Sequence, residues 1–188
     1  IFNGNGYGSD WPKEAEKRGL SNLDSTASCL PAYVSQKNIE LVTKHGIFTE
    51  AEFRARHEIY LETYIKVVKI EALSAVDMIR HQILPAASAY ATTLCDAIVS
   101  KEAVGATCKA EHALVARLSA ATDALYDHCE KLVADLENTP EDMAEAAMYY
   151  HMTILEHMAA ARKEADLLES LTDKSYWPYP TYSDLLFY

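Results

Sequence analysis

Seven histidines and four cysteines are the residues of this 188-residue chain best suited to chemistry, so their spacing comes first. A di-metal centre inside a helical bundle needs Glu-x-x-His pairs, because residues three apart share a helix face and can aim both ligands at one ion. The residues three before His45, His57, His81, His112, His128, His151 and His157 are Val42, Arg54, Met78, Lys109, Leu125, Met148 and Ile154, so no such pair exists. His128 and His157 fall on apolar seams of two predicted helices and could face one another, although a hydrogen-bonded core histidine is the simpler reading. The cysteines stand alone at positions 29, 95, 108 and 129, with no C-x-x-C pair that would suggest a zinc knuckle or a disulfide framework. Three of them fall within predicted helices or at their starts, where a free thiol behaves as a small buried apolar residue. Activation of a thiol needs a neighbouring His or cation that the sequence does not place. Gly4-x-Gly6-x-Gly8 has neither the dinucleotide spacing nor the Gly-Lys-Ser/Thr of a phosphate loop and reads as a surface turn. G-x-S-x-G is absent too. No residue of the chain is therefore assigned a catalytic, cofactor-binding or metal-ligating role.

Composition narrows the partners. A net charge of −11 leaves no basic stripe to neutralise phosphates, which argues against nucleic acid and against an anionic membrane surface. The longest run without Asp, Glu, Lys or Arg, residues 81–95, is too short and too polar for a bilayer span of roughly 20 apolar residues. With 49% apolar and 24% charged residues the chain reads as a globular protein. Isolated cysteines suit a reducing, cytoplasmic home. The first eight residues lack the basic and apolar regions of a signal peptide and an initiator Met, so the chain reads as starting within a longer protein.

The elements that must carry these residues are helical. Thr49 and Glu52 have the types and spacing of a capping box, which sets the start of a helix over 49–99 with one break or kink at Pro85. Leu61, Ile65, Val68, Ala72, Ala75, Ile79 and, after a polar Gln82, Ala86 recur at spacings of four and three and predict a buried seam. Ile59, Tyr60, Tyr64, Val67, Ile70, Leu73, Val76, Met78 and Ile83 add apolar surface on other sides, so this helix is expected to be central and covered by several neighbours. Seams at Leu114, Leu118, Ala121, Leu125, His128 and Leu132, and at Met143, Ala147, Tyr150, Ile154, His157, Ala161, Leu168 and Leu171, predict two further long helices. Thr139 and Pro140 are placed at the start of the latter. Upstream, Asp10 caps a short helix that Gly19 stops, 20–28 is a loop, and a helix from Pro31 ends at Gly46, with Phe48 positioned to staple onto Phe53. No strand alternation appears. The fold class is all-α, an antiparallel bundle over 49–172, preceded by a helical and loop segment over 1–48 and followed by an extended aromatic tail over 173–188 that packs back on the protein. Six aromatics and two prolines among residues 176–188 set that tail apart.

Residues 1–7 (IFNGNGY), the helix over 11–20, Leu30-Pro31, 45–52 (HGIFTEAE), 70–73 (IEAL) and 176–187 (YWPYPTYSDLLF) together resemble the C-terminal end of type III glutamine synthetase, over essentially the whole chain. Many relatives have Gly where Ser183 stands. The resemblance implies that 1–48 closes a catalytic region whose metal ligands, ammonia-site acid and ATP-contacting arginines lie upstream. The tail then returns towards 1–48 or onto a second copy. The parent enzyme would join ammonia to glutamate with ATP and Mg2+ or Mn2+, with neighbouring subunits of a homo-oligomer sharing each site. This region, inert alone, would brace subunits. The alternative is a free-standing helical module that binds a partner helix.

Overall fold

Thr49 and Glu52 close on one another as their types demand: the Thr49 amide donates to Glu52 Oε2 at 2.8 Å and the Glu52 amide to Thr49 Oγ1 at 3.3 Å. Hydrogen bonds from the Thr49 amide first, then from the Thr49 hydroxyl at 2.8 Å, hold the Glu52 carboxyl below its usual range. From that cap the computed structural model, which describes residues 3–186, runs helical without interruption from Glu50 to Glu102. The run comprises α4 (Glu50–Met78), a π-helical turn (Ile79–Ile83) and α5 (Leu84–Glu102). Where a break or kink is expected at Pro85, the helix has this π turn. Proline has no amide hydrogen to give the carbonyl four residues back, and a widened turn just ahead of it takes up the misfit without ending the helix. The widening also shifts the seam, so that Ile83 and Ala87 are buried beyond it while Gln82 is exposed and Ala86 is half-buried.

The described residues fall into two units. One holds 1–64 and 142–148. Its early helices are α1 (Asp10–Lys17), α2 (Thr26–Tyr33) and α3 (Gln36–Lys44). Gly19 and Gly46 take positive φ where α1 and α3 end, as expected of C-terminal glycines. The single helix expected from Pro31 is two helices, and α2 begins inside the segment read as a loop. Ser25 and Ser28 cap each other, the Ser28 amide donating to Ser25 Oγ at 3.1 Å, and extended Ser35 then breaks the chain. Asn38 Nδ2 caps the broken end by donating to the Ala32 carbonyl at 2.9 Å. Phe48 does staple onto Phe53, with ring centroids 5.9 Å apart, and Tyr33 stacks on Phe53 at 4.3 Å.

The other unit holds 65–141 and the described residues from 149 on, and contains the bundle. Its hub is α6 (Lys109–Glu137), which packs on α5 and on α8 (Leu155–Leu171). Leu118, Leu125, Cys129 and Leu132 are fully buried along it, with Cys129 taking the core position expected of His128. The expectation of a central, many-sided 49–99 helix is thereby corrected. On α4 only Phe53 and the seam through Leu61, Val68, Ala72 and Val76, which runs on to Ile79 in the π turn, are buried, while Val67, Ile70 and Leu73 lie 48%, 63% and 50% exposed.

The last long segment is α7 (Met143–Tyr149), a second π turn (Tyr150–Ile154) and α8. Helix α7 starts three residues later than expected. Asp142, not Thr139, caps it, accepting from the Ala144 and Glu145 amides at 2.9 and 3.0 Å, while Thr139 donates back to the Leu136 carbonyl. Tyr150, Ile154, Ala161 and Leu168 are buried as their seam predicts.

The tail is not extended throughout, since Thr181 and Asp184 cap a short α9 (Tyr182–Leu186). Lys174 also pairs with Asp184. Tyr176 packs on Tyr90 of α5, centroids 5.3 Å apart, with its hydroxyl 2.8 Å from Thr93 Oγ1. Ile1, Phe2, Phe187 and Tyr188, part of the motifs at the two ends, lie outside the described residues. Among the described residues there is no strand.

Candidate functional site

Helical geometry separates two sides of α4. At about 100° per residue, Val68, Ala72, Val76 and Ile79 turn one way, and Val67, Ile70, Leu73 and Met78 the other. The first set is buried and the second exposed. An exposed apolar row of this kind marks a surface that excludes water when something covers it. Beside it, a cleft of about 350 Å³ opens between the end of α4 and α8, lined by Ala75, Met78, Ile79, Ile83, Met158 and Ala161. Small, branched and thioether side chains give it a mostly apolar wall, with Arg162 the charged group at its lining.

The histidines are scattered by the fold. His57 stacks on Tyr33 at 6.5 Å, His81 Nδ1 lies 2.8 Å from Asp77 Oδ1, and His45 is exposed at the end of α3. His157 does not take His128 as its partner. Its Nδ1 lies 2.5 Å from Asp135 Oδ2 of α6, in the half-buried α6–α8 seam. Tyr149 donates to the Asp135 carbonyl at 3.1 Å, and burial followed by the nearby Asp135 charge pushes its phenol up. These groups tie α6 to the last segment.

One cluster escaped the sequence reading. Helix α5 ends at Glu102, Gly105 turns the chain at φ +71°, and α6 begins after Cys108. Cys108 and His112, four apart at the start of α6, share a face, and the turn brings Glu102 onto it. Cys108 Sγ lies 3.5 Å from Glu102 Oε1, and His112 Nε2 lies 3.2 Å from the same oxygen. Cys108 is 7% exposed, whereas Cys29 and Cys95, at or within predicted helices, are exposed. Burial, then the Glu102 carboxylate, pushes the Cys108 thiol up, while the hydrogen bonds from His112 and Cys108 hold Glu102 below the carboxylate range. Lys101 pairs with Glu111 alongside. The signal available in the sequence was Cys108-x-x-x-His112; the Glu102 partner depends on a loop geometry that spacing does not encode.

Comparison with known proteins completes the description. A family profile described as the glutamine synthetase C-terminal domain matches residues 1–102. A glutamine synthetase of Butyrivibrio fibrisolvens is 40% identical over 192 aligned residues, covering all of this chain and 27% of that protein. A type-3 glutamine synthetase of Dictyostelium discoideum is 30% identical over 195, again covering the whole chain and 26% of the relative. A Bacteroides fragilis glutamine synthetase is 29% identical over 99% of the chain. The chain thus spans about a quarter of the length of these relatives.

Proposed function

The chain belongs to the glutamine synthetase C-terminal domain family, and from that premise we propose that it is the helical, subunit-bracing region of a cytoplasmic enzyme joining ammonia to glutamate with ATP. The observation that carries the bracing role is the exposed Val67, Ile70 and Leu73 row on α4. Other subunits of the same protein are the partners in this reading, and the bundle supplies surface in place of catalytic groups. This reading assigns the parent's ATP and its Mg2+ or Mn2+ no site among the described residues. Magnesium demands near-octahedral oxygen donors. The one cluster of three or more potential ligands among the described residues, Glu102, Cys108 and His112, includes a thiol and a ring nitrogen. The Gly4-Gly6-Gly8 turn does not cradle a phosphate by its spacing. No reaction step is therefore assigned to these residues.

By length and composition alone, the helix Glu50–Glu102 is long and apolar enough to cross a bilayer. A membrane span is nonetheless not part of this reading, because α5 packs on α6 and the remaining apolar side of α4 suits a protein partner. A free-standing module without an enzymatic parent loses its appeal once whole-chain relatives are glutamine synthetases. The test has two arms. Purified chain given glutamate, ammonia, ATP and Mg2+ or Mn2+ is expected to form no glutamine, and the longer protein lacking this region is expected to lose its assembled state. Glutamine from the chain alone, or an unchanged assembly after deletion, overturns the proposal.

A further inference from the structure

We propose that Glu102, Cys108 and His112 form a binding site for a zinc-class divalent ion that clips the α5–α6 turn, a role separate from glutamine synthesis. The three potential ligand atoms, one carboxylate oxygen, one thiol sulfur and one imidazole nitrogen, all lie within 4.8 Å of one another. Zinc holds sulfur at about 2.3 Å and nitrogen or oxygen at about 2.0–2.2 Å in a tetrahedron. Tetrahedral geometry then sets the sulfur–oxygen edge at about 3.5 Å and the nitrogen–oxygen edge at about 3.3 Å. The observed Cys108–Glu102 and His112–Glu102 separations, 3.5 and 3.2 Å, already match those edges. Only the sulfur–nitrogen edge has to settle as the ion enters.

The donor chemistry chooses among metals. Thiolate and imidazole favour zinc and its softer neighbours over magnesium or calcium, which seek oxygen. Three protein ligands leave the fourth position to water. Access is open, since the Glu102 and His112 side chains are 57% and 58% exposed while the sulfur lies behind them on the buried side. On binding, the ion displaces the Cys108 proton to solvent and replaces the two hydrogen bonds that now converge on Glu102 Oε1. Lys101 does not repel it as a lone cation would, because Glu111 pairs with that ammonium. The bound ion joins the end of one bundle helix to the start of the hub across the Gly105 turn, so it stabilises the folded hairpin through linkage.

Cobalt(II) reports the site optically and zinc competes for it. The whole protein, kept reduced with a phosphine, is titrated with cobalt(II) and then with zinc(II), beside Cys108→Ser, His112→Ala and a Cys29→Ser/Cys95→Ser control. Expected are one equivalent of cobalt showing a thiolate-to-metal charge-transfer band, displacement by zinc, and a higher unfolding temperature with zinc. Cys108→Ser should abolish the band, His112→Ala should weaken zinc at least about tenfold, and the control should keep both. His112 is exposed, so its replacement reads metal affinity and not folding. Absence of the thiolate band, its survival in Cys108→Ser, or its loss only in the control overturns the site, whatever the activity of the enzyme proves to be.

Discussion

Helices α4 and α6 have the same length, 29 residues each, yet one is half-covered and the other is a hub. Helix α6 buries Leu118, Leu125, Cys129 and Leu132 to 0% exposure because α5 and α8 flank it. Helix α4 carries at least as many large apolar side chains, but its second row stands in solvent. Hydrophobicity in a sequence therefore shows that a face wants cover, not that the same chain supplies it. On α6 the cover is internal and the residues serve stability. On α4 the second row stands exposed, and in the proposed reading its residues serve what the chain joins.

The strongest way to break this contrast is truncation of the hub. Leu125→Ala removes a fully buried side chain and should cost about 2–5 kcal/mol, read as a lower denaturation midpoint. Ile79→Ala, where the buried row of α4 enters the π turn, falls in the same range, about 2–5 kcal/mol. If either midpoint stays put, the assignment of that row as core is wrong. Next comes Tyr149→Phe, which deletes the hydroxyl donor to the Asp135 carbonyl and should lose about 0.5–1.5 kcal/mol. A loss well above that range would mean the ring itself is misplaced.

The tail gives a smaller effect, in a defined pH window. Hydrogen bonding from Lys174 first, then from Thr181, lowers the Asp184 carboxyl from its ordinary 3.8 to about 2. A group depressed on folding contributes stability that is complete above its ordinary value and lost as pH falls through its folded value. Amides of the α9 cap should therefore keep their protection down to about pH 4 and lose it progressively between 3.8 and about 2. Protection that is flat across that window would show that the Asp184 cap contributes nothing.

How legible this was in the chain varies by residue. Thr49 and Glu52 announced their cap because both partners sit within one turn, and Gly19 and Gly46 announced helix ends because few other residues accept positive φ. Seams at Leu118, Leu125, Tyr150 and Leu168 followed from periodicity alone. Boundaries failed where two signals competed: Asp142 outranked Thr139-Pro140 as a cap, and Ser25 started a helix inside a stretch of loop formers. Pro85 was read as a break or kink, since spacing does not distinguish a π turn from either. Centrality was misjudged on α4 because partner identity is a tertiary fact. The Glu102–Cys108–His112 cluster stayed hidden because its six-residue gap crosses a turn.

The account's central claim is that the second row of α4 is an interface, and paired charge insertion tests it most directly. Ile70→Asp with Leu73→Asp places two carboxylates on exposed positions, so the isolated chain should keep its denaturation midpoint to within about 0.5 kcal/mol. Sedimentation of the longer protein carrying the same pair should show the assembly falling to smaller species, because buried carboxylates at an interface have no partner. An assembly that sediments unchanged with both carboxylates in place would contradict the claim.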